Sequence, residues 1–351
     1  MRSVSEQAAL LRVRARLNGC VRGFFEDAGF VEVETPLLAE RLIPEPSIGI
    51  FATEQHHADG SARELYLTPS PELWMKRLVA AGMPRVYQLA RCFRNVEEQG
   101  PFHNREFTML EWYAVDEDYH QALARMEDLL AALRAEVAAA STLGNNCGPG
   151  VAGEADGGSS GPGGGGEAGA AAGARVQRVT MAQLWLDEVG CDPAHATARE
   201  LAALARRLDI PATESDTWEQ LFNRIFLTRV EPCIATHRPV VVLDYPARIP
   251  TLAATAGDGV HAKRWELYLA GVEVANCFQE ETDGTALAAL LADEAARQRS
   301  ARVVPRPDLA LAEAFGSVAA CSGVAVGVDR LYALLLGLPA ITPLMACADS
   351  G

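Results

Sequence analysis

Gly323-Val324-Ala325-Val326-Gly327-Val328-Asp329-Arg330 decides the fold of this chain. The run through Val326 reads as a strand, the glycine that follows as a turn, and the residues from Asp329 to Leu336 as a helix. Two earlier blocks belong with it: Ala28-Gly29-Phe30-Val31-Glu32-Val33-Glu34-Thr35-Pro36, and Phe93-Arg94-Asn95 answered by His103-Asn104-Arg105-Glu106-Phe107-Thr108-Met109-Leu110-Glu111. Any one block has a structural reading, such as a strand start or a surface ion pair worth little. Three in this order are hard to obtain by chance.

Between the blocks the patterning predicts the scaffold. Residues 5–28 place Leu10, Val13, Leu17, Val21 and Phe24 at helical spacing, with Arg12, Arg14, Arg16 and Arg22 mostly elsewhere around the wheel. This helix runs directly into the first block, so no nucleic-acid-binding domain is expected before the core. Ser70-Pro71-Glu72 predicts a helix capped by Ser70 and stopped at Gly82. Residues 87–93 and 107–115 read as strands, and alternation on the second sets Phe107, Met109, Glu111 and Tyr113 against Thr108, Leu110 and Trp112. Helical patterns cover 198–208, 216–229 and the Ala-rich 284–315, and 239–245 reads as a buried strand. Residues 264–279 predict a hairpin turning at Ala270-Gly271. Strict alternation there separates Glu273 from Asn276, Phe278 and Glu280, so a shared pocket requires a bulge.

From 141 to 174 the composition collapses to Gly, Ala and Ser, with 13 of the 30 glycines. Such a stretch predicts a disordered insertion between a first part of the catalytic domain, 1–140, and its remainder, 175–351. The net charge of −15 lowers the expectation of a long nucleic acid as partner, because phosphate binding favours a basic face. No run reaches the roughly 18 apolar residues of a spanning helix, and no signal region precedes the first helix, so a cytoplasmic protein without membrane contact is expected. The eight cysteines show neither C-x-x-C pairing nor zinc spacing and read as reduced.

The charged residues point to acid activation. Arg94 and Arg330 offer planar, permanently charged forks for phosphate oxygens. Glu266 and Glu273 on the hairpin suit a Mg²⁺ shared with ATP phosphates; without that context they are two solvated glutamates. Glu72, Glu111, Tyr113, Asn276 and Glu280 make a surplus of acceptors suited to a ligand with ammonium groups. No nucleophile with an adjacent base is visible, and His103 reads as an ATP-loop contact.

On these blocks, with Ser-Pro-Glu at 70–72, Glu-Trp-Tyr at 111–113 and Glu-Val-Ala-Asn-x-Phe-x-Glu at 273–280, the chain resembles the lysine branch of class II aminoacyl-tRNA synthetases. Within it, the phrases 111–113 and 321–331 resemble the stand-alone elongation factor P lysine ligases, over roughly residues 5–337. The resemblance implies an α+β catalytic core, an antiparallel sheet flanked by helices, and a homodimer built through the first block. It implies ATP, Mg²⁺ and an aminoacyl-adenylate of lysine or (R)-β-lysine passed to a lysine of elongation factor P, with tRNA an unlikely acceptor. Carried over, Ser70, Glu72, Glu111, Tyr113, Glu273, Asn276, Phe278, Glu280 and Ala325 hold the amino acid. Arg94, Asn95, Glu97, His103, Asn104, Phe107, Glu266, Leu267, Gly327 and Arg330 hold ATP. Val96, Pro101, Arg105 and Cys277 depart from the family pattern, as does the tail after Gly337, and a side chain at 277 is expected to crowd the ligand. Two alternatives stay open: a ligase of the same fold for another amino acid or carrier, and a catalytically weakened paralog that binds or regulates.

Overall fold

The computed structural model describes residues 4–95, 100–144, 176–234 and 238–345. Its strands are β1 (Val31–Glu32), β2 (Leu38–Ala39), β3 (Ala52–His56), β4 (Ala62–Leu67), β5 (Arg85–Phe93), β6 (Glu106–Val115), β7 (Gln177–Thr180), β8 (Val240–Pro246), β9 (His261–Leu269), β10 (Val272–Gln279) and β11 (Cys321–Gly327). Eight of them form one sheet in the order β1-β5-β6-β11-β10-β9-β8-β7, and β2-β4-β3 form a small second sheet. The six central strands of the large sheet are antiparallel, whereas β1 with β5 and β7 with β8 pair in parallel. The sheet is therefore mixed rather than purely antiparallel. Its edge pairs are linked by long excursions, which parallel pairing requires and hairpins cannot supply.

The helices are α1 (Val4–Asp27), α2 (Glu72–Ala80), α3 (Tyr119–Gly144), α4 (Met181–Val189), α5 (Ala198–Arg207), α6 (Trp218–Ile225), α7 (Gly284–Arg297), α8 (Ala310–Phe315) and α9 (Val328–Leu335). One sheet face is sealed by α1 and α3, through Leu17, Val21, Phe25, Leu123, Met126 and Leu130 against Leu110, Trp112, Val324 and Val326. Each such side chain, fully buried, contributes about 1.5–3 kcal/mol. Phe25 stacks on Tyr87 at 4.8 Å and meets Phe30 edge-on at 5.2 Å, which anchors the first block to this core. The helices α4, α5 and α6 build a separate core on Trp185 and Phe222 beside β7 and β8. On the opposite face α2, α7 and α8 pack over Val86, Tyr113 and Cys321.

Several local expectations shift. α2 starts at Glu72 with Pro71 as its cap residue and no side-chain cap, so Ser70 is not the N-cap. Gly82 does stop this helix, with φ +95°. The Ala-rich region is broken after Arg297 and a short 3-10 turn, and helix resumes only at Ala310, beyond Pro305 and Pro307. α3 continues through Gly144, into the stretch expected to be an insertion; residues 145–174 lie outside the described ones. The β9–β10 hairpin turns at Ala270-Gly271, both left-handed, and its register shifts between Glu273 and Ala275. That is the bulge the shared pocket required.

Candidate active site

Antiparallel register lines up one row of side chains across the sheet. Gln88 pairs with Glu111, Glu111 with Ala325, Ala325 with Asn276, and Asn276 with Glu266. Side chains alternate between faces, so this row shares the face not covered by α1 and α3. A parallel row two residues along runs Tyr113, Gly323, Phe278, Arg264. Gly323 is indispensable to it, since a Cβ there would lie 2.2 Å from Glu280 Oε1 and 2.5 Å from Tyr113 Cε1.

Over these rows opens a cleft enclosing about 670 Å³ of empty space, part of it open to solvent. It gathers Arg94, His103, Asn104, Phe107, Glu273, Asn276, Ala325, Gly327 and Arg330 of the predicted residues, and adds Phe102, Met109 and Ile341. Backbone carbonyls orient the Arg330 guanidinium without neutralising it: Nε donates to Phe102 O at 2.9 Å and Nη1 to Glu273 O at 3.2 Å. Arg94 lies over the Phe107 ring at 5.3 Å, and its buried Nε has no hydrogen-bond partner. Two guanidiniums facing one cleft make an anion site. A Cβ on Gly327 would find nothing nearer than Arg330 Cδ at 3.6 Å, an ordinary contact, so a methyl fits there beside the arginine.

The acidic residues form an adjoining buried cluster around a residue the sequence reading missed. Lys76, fully buried, sits 2.7 Å from Glu72 and 2.7 Å from Glu280, under the Phe315 ring. The surplus of acceptors is therefore smaller than expected, because two of the carboxylates already face an ammonium. Glu111 accepts from the Tyr113 hydroxyl at 3.3 Å. Burial, reinforced by Glu72, pushes the Glu111 carboxyl well above its ordinary range. Glu45, from the loop before β3, joins the group and is raised to about 7 by burial and by Glu72, against Arg94 and Lys76. Glu280 also reaches about 7, through burial, with Lys76 opposing.

Glu266 and Glu273 lie close enough to repel. Burial first, then Glu266, lifts Glu273 to about 7, against the pull of Arg330, Arg264 and Arg94. A hard divalent cation relieves such repulsion, so the donors fit Mg²⁺ in kind. They are unequal, however: Glu266 is engaged by Arg264 and by the Tyr245 and Tyr268 hydroxyls, leaving Glu273 the freer donor. Among the described residues there is no group of three or more acidic, His or Cys side chains suited to a metal.

Other predicted residues sit apart. The Leu267 side chain belongs to the core under α1 and α3, on the face away from the cleft. Phe278 is covered by Arg264 at 5.2 Å. Asn95 pairs by backbone with Gly49, Ser70 is half-buried before α2, and Val96 and Glu97 lie outside the described residues. Cys277 is buried in the same core as Leu267, so it does not crowd the ligand. The tail after Gly337 packs despite its composition: Leu338, Ile341 and Leu344 are buried, and Ile341 N donates to Pro101 O at 2.9 Å. Lys76 had a signal, four residues after Glu72 on one helix. Glu45 had none.

A family model described as tRNA synthetases class II (D, K and N) matches residues 2–348. Relatives include the Elongation factor P--(R)-beta-lysine ligase of Vibrio vulnificus, 35% identical over 345 residues, 96% of this chain and 94% of that protein. Those of Proteus mirabilis and Pasteurella multocida are both 33% identical, over 350 residues (97% and 95%) and 340 residues (96% and 94%). With a mixed sheet that holds all three blocks and brings the second and third to one cleft, and similarity along nearly its whole length, this chain belongs to the class II tRNA synthetases.

Proposed function

We propose that the protein uses ATP to activate lysine or (R)-β-lysine and transfers it to a lysine side chain of elongation factor P. The carrying observation is the join of the two compartments at Ala325 and Asn276. On one side lies a cleft with two arginines, on the other a cluster of buried carboxylates. In the first step a carboxylate oxygen of the amino acid attacks the α-phosphorus and the bond to the pyrophosphate oxygen breaks. Arg94 and Arg330 stabilise the charge that builds on the phosphate oxygens. Asn104, Phe107, His103 and Gly327 border the nucleotide, with Glu273 and Glu266 on its phosphate side. Mg²⁺ held there would neutralise phosphate charge. In the second step the acceptor amine attacks the acyl carbon, AMP leaves, and the amide nitrogen loses its proton.

Glu72, Glu111, Tyr113, Asn276 and Glu280 hold the ammonium groups of the substrate. Two further features support the assembly drawn from the resemblance: Val31, Leu37 and Leu38 are exposed along and just beyond the first block, as a dimer seam requires, and both halves of the chain supply strands to one sheet. Domain parts 1–140 and 175–351 therefore act as one catalytic unit. Incubation with ATP, Mg²⁺, elongation factor P and either lysine isomer, followed by intact mass, tests the reading. An adduct of one aminoacyl group on the factor is expected; no adduct with either isomer overturns it.

A further inference from the structure

Lys76 has no task in a pocket that binds a diamino acid, yet it is the most deeply buried charge there, 1% exposed. It rises from α2 between Glu72, one turn earlier on the same helix, and Glu280, just past the end of β10, at 2.7 Å from each. The facing oxygens are Glu72 Oε1 and Glu280 Oε2, and the attraction is charge on charge first, with hydrogen bonding added to it. The other oxygen of Glu280 is wedged over Gly323 beside Tyr113. Glu111, Glu45 and Cys321 also feel the ammonium, and Phe315 closes its far side. Burial alone would drive Lys76 towards the neutral amine, but Glu280 and Glu72 outweigh it and hold its proton.

We propose that Lys76 is the resident counter-ion of the amino-acid pocket, a positioning residue that keeps Glu72 and Glu280 as fixed acceptors and sets the pocket to receive a mobile ammonium beside the built-in one. The proposal rests on the diamino-acid reading. Remove the charge, and two buried carboxylates face each other across an apolar gap, where one takes up a proton. A proton on that carboxylate must then leave before a substrate ammonium can bind. Lys76 does not line the cleft of Arg94 and Arg330, so its loss acts on amino-acid binding rather than on phosphate chemistry.

The test uses Lys76→Met, Lys76→Arg and the double variant Lys76→Met/Glu280→Gln in amino-acid-dependent pyrophosphate exchange across about pH 6 to 9. Lys76→Met is expected to raise KM for the amino acid roughly tenfold or more at neutral pH, with kcat and the KM for ATP changed far less. The KM deficit shrinks as pH rises, and Lys76→Arg restores most of the wild-type profile. A uniform loss in kcat, or a KM deficit independent of pH, overturns the proposal.

Thermal unfolding without ligand separates it from the functional reading. A counter-ion role makes the Tm deficit of Lys76→Met grow from about pH 5.5 to 8.5, because each uncompensated carboxylate binds its proton more tightly folded than unfolded. The double variant, free of the second carboxylate, regains much of that Tm, and it serves if the single variant does not fold. If wild type exchanges pyrophosphate with no lysine isomer but these unfolding shifts appear, the substrate assignment falls and the counter-ion stands. A constant Tm deficit, or a double variant no more stable than the single, sinks the counter-ion.

Discussion

Arg14 on α1 and Asp329 on α9 form a nearly buried ion pair across 315 positions of sequence. The other Arg14 nitrogen donates to Thr108 Oγ1 at 2.9 Å, and Asp329 Oδ2 accepts from Thr108 N at 2.6 Å. One node thus ties the first helix, β6 and the start of α9, and the next residue along is Arg330. Arg14→Leu is expected to lower stability by about 3–5 kcal/mol, because it strands a buried carboxylate. Arg14→Lys recovers only part, since an ammonium cannot span both Asp329 and Thr108 as a guanidinium does. Urea unfolding measures the first effect. A rise in KM for ATP in Arg14→Lys tests whether the node also steadies Arg330.

The unliganded pocket predicts a stability that falls as pH rises. Glu45 and Glu280 are held at about 7 in the folded protein, chiefly by burial, against an ordinary glutamate value of 4.5. The folded state therefore binds more protons than the unfolded one between those values, and stability drops through that window as pH increases. Wild type should lose more Tm than Glu45→Gln on going from pH 5.5 to about 8, and saturating lysine should flatten the wild-type slope. Equal slopes in the two proteins would remove Glu45 from the pocket's charge balance.

Two glycines of the third block make opposite predictions. Gly323→Ala drives a methyl into Glu280 and Tyr113, whose atoms stand 2.2 Å and 2.5 Å from the new Cβ. Overpacking of this kind costs about 1–3 kcal/mol and displaces two residues of the amino-acid pocket. Its expected signature is a raised KM for the amino acid with little change for ATP. Gly327→Ala makes only ordinary contacts, with Arg330 Cδ at 3.6 Å and Arg330 Cβ and Val274 O at 3.8 Å, so stability holds while the methyl fills space in the nucleotide cleft. Its KM for ATP should rise instead. Pyrophosphate exchange with either substrate varied distinguishes the two.

The strands of the site were legible because alternation and glycine are local signals. Period two placed Glu111 and Tyr113 together, and the mismatch between Glu273 and Asn276 demanded a bulge that is present. What escaped was set by distant chain. Arg14 lies on the apolar stripe between Leu10 and Leu17, but its partner is far along the sequence, so it read as a surface charge. Lys76 went unremarked because nothing local shows that Glu280 and Phe315 enclose it. Cys277 was assigned to the ligand side by family position, although β pairing with Val324 and Trp265 sends it into the core. The parallel edges were missed because pairing partners of β1 and β7 lie beyond any local window.

Ala325 offers the sharpest test of substrate choice. It stands in register between Glu111 and Asn276, at the join of the cleft and the acidic cluster, packed against the small core of Ala90, Cys92 and Met109. In the proposed reading, a diamino acid passes its backbone over this methyl while its ammonium groups reach the carboxylates beyond. In an α-amino acid the first ammonium sits one carbon closer to the carboxylate than in the β isomer, so a filled floor shifts the two isomers unequally. One methyl discriminates by about 1–3 kcal/mol, roughly 10- to 200-fold in relative kcat/KM. Ala325→Gly is expected to move the ratio of activation rates towards α-lysine within that range, without loss of ATP affinity. Pyrophosphate exchange with each isomer measures the ratio, and an unchanged ratio would assign the discrimination to the carboxylate pocket rather than to its floor.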